Sequence, residues 1–171
     1  KKAVISDYIS VNFVERIFDN PGLYSVGAQG KVLACDIQST VTVFPPNVEF
    51  HQEDVFRRSE AFERQLAETG PFHVVMSDMA PQTTGTKFTD QARSLELCLE
   101  ALAVAEKYLV KGGSFVVKIF MGPDVGELLK GMRPRFARVT SFKPQSSRVE
   151  SKETFFVGLG FKGKEADGAR D

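Results

Sequence analysis

No run of this chain approaches the roughly 20 apolar residues of a membrane-spanning helix, so no span is expected. The opening residues, KKAVISDY, are too short and too polar for a signal peptide. There are only two cysteines, Cys35 and Cys98, and no CxxC or Cys/His cluster. Neither a zinc site nor a disulfide framework is suggested, and both thiols read as reduced core residues. His51 and His73 have no partner at metal-ligand spacing, so both are taken as structural and no metal is expected. The one GxGxxG spacing, GLGFKG at 158–163, ends the last strand before a polar tail and does not open a helix, which weakens a dinucleotide-dependent dehydrogenase. Net charge is missing too: 22 basic residues balance 22 acidic ones, so the total points to no partner. A cytoplasmic enzyme or binding domain is the default, without membrane association.

What is present fits one domain over residues 1–171, long enough to bury a sizeable core. Hydrophobic content of 42% and charge of 26% are ordinary for a globular chain. The charge is unevenly spread. Between Lys111 and Lys152 stand nine basic and three acidic residues, a mild pointer to a polyanionic partner. A solvated basic face explains it about as well.

Apolar runs alternate with helical patterns. VLACDI (32–37), VEF (48–50), HVVMSD (73–78), SFVVKIF (114–120), RVTSFK (138–143) and TFFVGLG (154–160) read as strands. FRRSEAFERQLAETG (56–70) reads as a helix with Phe56, Phe62 and Leu66 on one side and Gly70 at its C-cap. The longest helical pattern runs from Asp90 to Val110, with Leu95, Leu99, Leu102 and Leu109 facing the core and Gly112-Gly113 as its stop. A short helix follows Pro123, from Asp124 to about Met132. This alternation predicts an α/β fold with a mostly parallel sheet covered on both faces. Only ten residues separate the last two strands, too few for a helical crossover. The last strand is therefore expected to be antiparallel to its neighbour.

In such a sheet, ligands bind outside the carboxyl ends of the parallel strands. Asp36, Asp54 and Asp78 each follow a strand there. One acid at a strand end is commonplace, because Asp also caps helices and starts turns. Three along one rim suggest a site, and Asp36 is placed to receive ribose hydroxyls. Lys118 lies inside an apolar strand, where lysine is rarely buried without a partner. A snorkelling lysine would explain it; so would a rim lysine paired with carboxylates, able to act as a base or orient a hydroxyl. If the last strand is antiparallel, Glu153 begins it at the same rim, beside Asp78 and Lys118. Ser146-Ser147-Arg148 suits a phosphate, or is simply a polar turn. Met76 and Met79 read as core filler.

Taken together, "VLACD", "MSDMAP", "GGSFVVKIF" and "SSRVESKETFFVGLG" closely resemble the FtsJ/RrmJ family of ribosomal RNA 2′-O-methyltransferases. The similarity runs from about Val32 to Gly160. It implies a Rossmann-like, S-adenosylmethionine-dependent methyltransferase fold. That fold has a mostly parallel seven-stranded sheet, an antiparallel last strand and helices on both faces. The resemblance also implies a catalytic set of Lys118, Asp78 and Glu153. Asp36 with Ile37 would lie at the cofactor's ribose, Asp54 with Val55 at its adenine, and Asp78 at its methionine end. Lys130, Arg133, Arg135, Lys143 and Arg148 are the basic residues expected to grip ribosomal RNA, within the large subunit. A monomer is expected.

The likeness departs at the front. The family's first strand ends in a D-L-G-x-x-P-G type loop, whereas "AVISDYISVNFVERIF" has no glycine. The family's upstream catalytic lysine has no match either, while Phe13 to Phe18 resembles the helix after the loop. Loop and lysine thus look missing and not mutated. Two accounts fit: residues omitted from this chain, or a chain without activity. The otherwise intact site favours the first. The competing reading is a catalytically silent RNA-binding or ribosome-assembly module that keeps the fold.

Overall fold

The computed structural model describes residues 2–6 (backbone only), 30–41, 43–143 and 153–163. In chain order the elements are β1 (Lys2–Ser6), β2 (Lys31–Asp36), β3 (Val48–Gln52), α1 (Glu60–Thr69) and β4 (Phe72–Ser77). Then follow α2 (Lys87–Tyr108), β5 (Leu109–Phe120), α3 (Val125–Arg135), β6 (Phe136–Phe142) and β7 (Glu153–Phe161). The strands form one mixed sheet in the order β3-β2-β1-β4-β5-β7-β6. Strands β1 to β5 pair in parallel, and β7 is antiparallel to both β5 and β6. The antiparallel end is what the short connection requires. That β7 inserts between β5 and β6 is a tertiary outcome.

Phe62 and Leu66 of α1, Cys98, Ala101, Leu102 and Ala105 of α2, and Leu128 and Met132 of α3 share one buried cluster with Leu33, Val75, Phe115, Val117 and Phe156. The three described helices therefore cover one face of the sheet. Side chains alternate along a strand, so Val74, Met76 and Val116 point to the other face, and they too are buried. Burial on both faces explains why these strands read as unbroken apolar runs. The helix-like stretch Phe13 to Phe18 lies outside the described residues. Among the described residues no helix is long and apolar enough to cross a membrane.

Three local expectations need correction. Phe56 lies before α1 and is half exposed, because Ser59 caps the helix by accepting the Phe62 N–H, and α1 begins at Glu60. Helix α2 ends at Tyr108, and Leu109 already pairs with Phe72 in β5. Gly112-Gly113 is not a helix stop. Gly112 has φ +83° inside the strand, where the register jumps from Phe72↔Leu109 to Val74↔Ser114. The glycine accommodates an irregularity that a side chain would strain. The core-facing stripe of α2 also differs. Leu99 is 40% exposed, and the buried line is Gln91, Ser94, Cys98, Ala101, Leu102, Ala105 and Tyr108. Its first half is polar, which is why an apolar count misses it.

Candidate active site

The register carries Lys118 to its partners. On β5, Val116 pairs with Met76 and Val117 with Ser77, so Asp78 continues β4 alongside Lys118. Across the antiparallel pair, Lys118 faces Phe155 and Phe120 faces Glu153. Positions two apart share a face, so Asp78, Lys118 and Glu153 all project to the face opposite the described helices. Lys118 Nζ lies 2.9 Å from Asp78 Oδ1 and 3.6 Å from Glu153 Oε1. The lysine side chain is only 11% exposed, Asp78 23% and Glu153 41%. The trio thus runs from a buried lysine to a wetter rim.

Burial pushes the Asp78 carboxyl above its usual range. The Lys118 ammonium opposes this, and the nearby Glu153 charge adds to it. Two carboxylates share one lysine, so removing the lysine would leave two like charges facing each other in a partly buried site.

A cavity of about 310 Å³ opens along the same end of the sheet. It is lined by Asp36, Ile37, Asp54, Val55, Met79 and Ala80 among others. All four residues assigned to the cofactor beside Asp78 are therefore brought to one hollow. Asp78 itself does not line it; its neighbours Met79 and Ala80 do. Met79, read from sequence as core filler, is thus also a wall of the cavity. The walls are held by local bonds. Asp36 Oδ1 accepts the Gln38 N–H at 2.8 Å, and Asp54 Oδ1 accepts the Phe56 N–H at 2.8 Å. The Glu53 N–H donates to the Asp36 carbonyl at 2.9 Å, tying the two acid-bearing turns together.

The basic residues expected to grip RNA are spread over the sheet's length. Lys130 lies midway along α3, and Arg133 and Arg135 lie in its last turn, which runs directly into Phe136 of β6. Phe136 pairs with Phe161, at the end of β7 remote from Glu153. A nine-residue strand puts those ends roughly 27 Å apart. Arg135 is moreover engaged by Glu106 of α2, and Lys130 by Glu127 at 2.6 Å. Helix α3 descends from the rim, so its last turn lies at the far end. Lys143 follows Phe142, which pairs with Phe155, and so stands exposed at the reactive end. Arg148 lies outside the described residues. Among those described, no cluster of potential metal ligands occurs.

The sequence profile of the FtsJ-like methyltransferases matches residues 13–161. The chain belongs to that family. It is 68% identical over 157 residues to ribosomal RNA large subunit methyltransferase E of Nitratidesulfovibrio vulgaris (strain DSM 19637 / Miyazaki F), covering 88% of this chain and 77% of that protein. The protein of the same name from Lawsonia intracellularis is 61% identical, over 84% of this chain and 74% of the relative. Among solved structures, a Plasmodium falciparum protein described as a ribosomal RNA methyltransferase superposes with a TM-score of 0.73. It is 22% identical and covers 96% of this chain and 88% of that one, so it shows the fold. Human methyltransferase-like protein 13, solved in complex with SAH, has the same kind of fold at a TM-score of 0.55 and 12% identity, over 99% of this chain and 74% of that one.

Proposed function

We propose that this FtsJ-family methyltransferase moves a methyl group from S-adenosylmethionine to a ribose 2′-hydroxyl of large-subunit ribosomal RNA, at a uridine. The observation that carries the reading is the Lys118–Asp78–Glu153 cluster at the strand ends, beside a cavity lined by Asp36, Glu53 and Asp54. The close relatives are named as ribosomal RNA large subunit methyltransferases, and that supports the substrate class.

The cavity suits the cofactor by its donor set. Asp36 and Asp54 are carboxylates on adjacent turns, and Ile37, Val55 and Met79 supply apolar walls for a flat base. Asp36 would hold ribose hydroxyls, and Asp54 with Val55 would hold the adenine. When bound, the cofactor supplies an electrophilic methyl on a sulfonium. The chain's own task is to position and activate a poor nucleophile. Lys118 takes or polarises the hydroxyl proton at Nζ. Asp78 and Glu153 hold that nitrogen in place and balance its charge. Orientation of this kind supplies much of the acceleration. Lys143, and Arg148 beyond the described residues, would contact phosphates in a salt-sensitive, sequence-independent way.

The test is methyl transfer from labelled cofactor to large-subunit ribosomal RNA, with the product nucleoside identified. A 2′-O-methylated uridine is expected. A base-methylated product, or no transfer together with no cofactor binding in calorimetry, would overturn the reading. The second of these outcomes would favour a silent assembly module. A buried Lys118 held by two carboxylates gives that module no evident use.

A further inference from the structure

The strand that carries Lys118 runs past its neighbour. Pairing of β5 with β4 ends at Val117↔Ser77, while pairing with β7 continues to Phe120↔Glu153. Beyond Val117, then, one edge of β5 has lost its ladder. Backbone N–H and C=O groups of alternate residues point to alternate edges, and buried ones must be satisfied.

Three side chains of α2 take the place of the missing strand. The Cys98 thiol donates to the Lys118 carbonyl at 3.0 Å. The Phe120 N–H donates to Ser94 Oγ at 3.0 Å. The Gln91 amide donates to the Met121 carbonyl at 2.5 Å. Residues 118 and 120 have the same parity, as one unladdered edge requires. The three helix positions lie at spacings of three and four, on one line of the helix surface. All are buried: Gln91 is 6% exposed, Ser94 1% and Cys98 1%. Gly122 completes the fit, because a Cβ there would meet the Gln91 carboxamide at 2.5 Å.

We infer that Gln91, Ser94 and Cys98 are positioning residues. They clasp the overrunning end of β5 and so fix Lys118 against Asp78 and Glu153. The bonds at 118 and 120 bracket the lysine on the edge where the ladder with β4 runs out. Cys98 suits the role because burial pushes its thiol up to about 12, so it stays protonated and keeps donating. The helix–strand contact is thus more than packing: its polar half lies where the reacting lysine needs a fixed backbone.

The inference rests on the methyl-transfer reading above, and its test has one readout that does not. In the full-length protein, the Ser94→Ala/Cys98→Ala double variant should speed hydrogen exchange at the Phe120 amide, whatever the protein's activity. Its kcat for methyl transfer should fall about 10- to 100-fold, as a misplaced catalytic group implies, while KM for the cofactor stays within about twofold. Cys98→Ser keeps a donor and should retain most of the activity. Val104→Ala, a core change on the same helix, serves as a control at matched Tm loss. Unchanged exchange at Phe120, or a kcat loss no larger than that of Val104→Ala at equal Tm, would overturn the clasp. Absence of transfer by the wild type would instead sink the activity reading, leaving the exchange measurement to judge the clasp.

Discussion

Lys118 and Asp78 stand 2.9 Å apart, yet they are 40 residues distant in the chain and on different strands. Their meeting follows from parallel register, which sets Val116 beside Met76 and carries the next like-facing pair into contact. Burial makes the pair costly to break: removing one partner of a buried ion pair typically costs ~3–5 kcal/mol.

Lys118→Ala should abolish methyl transfer and leave cofactor binding nearly unchanged, because the lysine does not line the cavity. Incorporation of labelled methyl and calorimetric titration report the two effects separately. Transfer at wild-type rate would remove the lysine from the mechanism.

Asp36→Ala should do the reverse. Losing a carboxylate partner to buried hydroxyls weakens cofactor affinity by ~1–3 kcal/mol, about 5- to 150-fold. Saturating cofactor should then restore most of kcat. A variant that binds normally would exclude Asp36 from the ribose.

Glu63 ties α1 to α2. It is held by Lys107 and Tyr108 of α2 and by Arg58, and these hydrogen bonds lower its carboxyl to about 2. A depressed carboxylate contributes stability that is complete above its unfolded value near 4.5 and disappears as pH falls toward 2. Lys107 is half exposed, so screening trims the gain to ~1–2 kcal/mol. Glu63→Gln should therefore lose that much at pH 7 and show a flatter decline between pH 5 and 2. Denaturant melts of both proteins across that range check the sign.

Gly158 faces Phe136, and a Cβ there would lie 2.7 Å from the ring. The ring is buried and stacked with Phe115 at 6.0 Å, so it has little room to yield. Gly158→Ala should cost ~1–3 kcal/mol by overpacking and lower Tm by several degrees. A neutral result would show that β6 can move away from β7.

Much of this was legible along the chain. Apolar runs at 32–37, 73–78 and 114–120 become β2, β4 and the upper half of β5, because a doubly covered strand must be apolar on both faces. Strand β1 was not legible as such. It sits in the middle of the sheet between β2 and β4, and five residues beginning KAVIS carry little pattern of their own. The β5 irregularity was hidden for a related reason: Gly112-Gly113 looks the same whether it stops a helix or bends a strand. The line Gln91, Ser94, Cys98 carries no apolar signal, because its buried positions are polar or small.

The sequence by itself determined the α/β class, the family, the antiparallel end of the sheet and the identities of Asp78, Lys118 and Glu153. These follow from local composition, spacing and motif, which survive without coordinates. The tertiary structure alone decided where β7 inserts, which carboxylate lies nearest the lysine, and that Arg133 and Arg135 stand at the far end of the sheet. It also decided what secures the end of β5 beyond its last pairing with β4. Those outcomes depend on pairing between segments far apart in the chain. Hydrogen-bond register and burial settle such pairings, and no single segment encodes them.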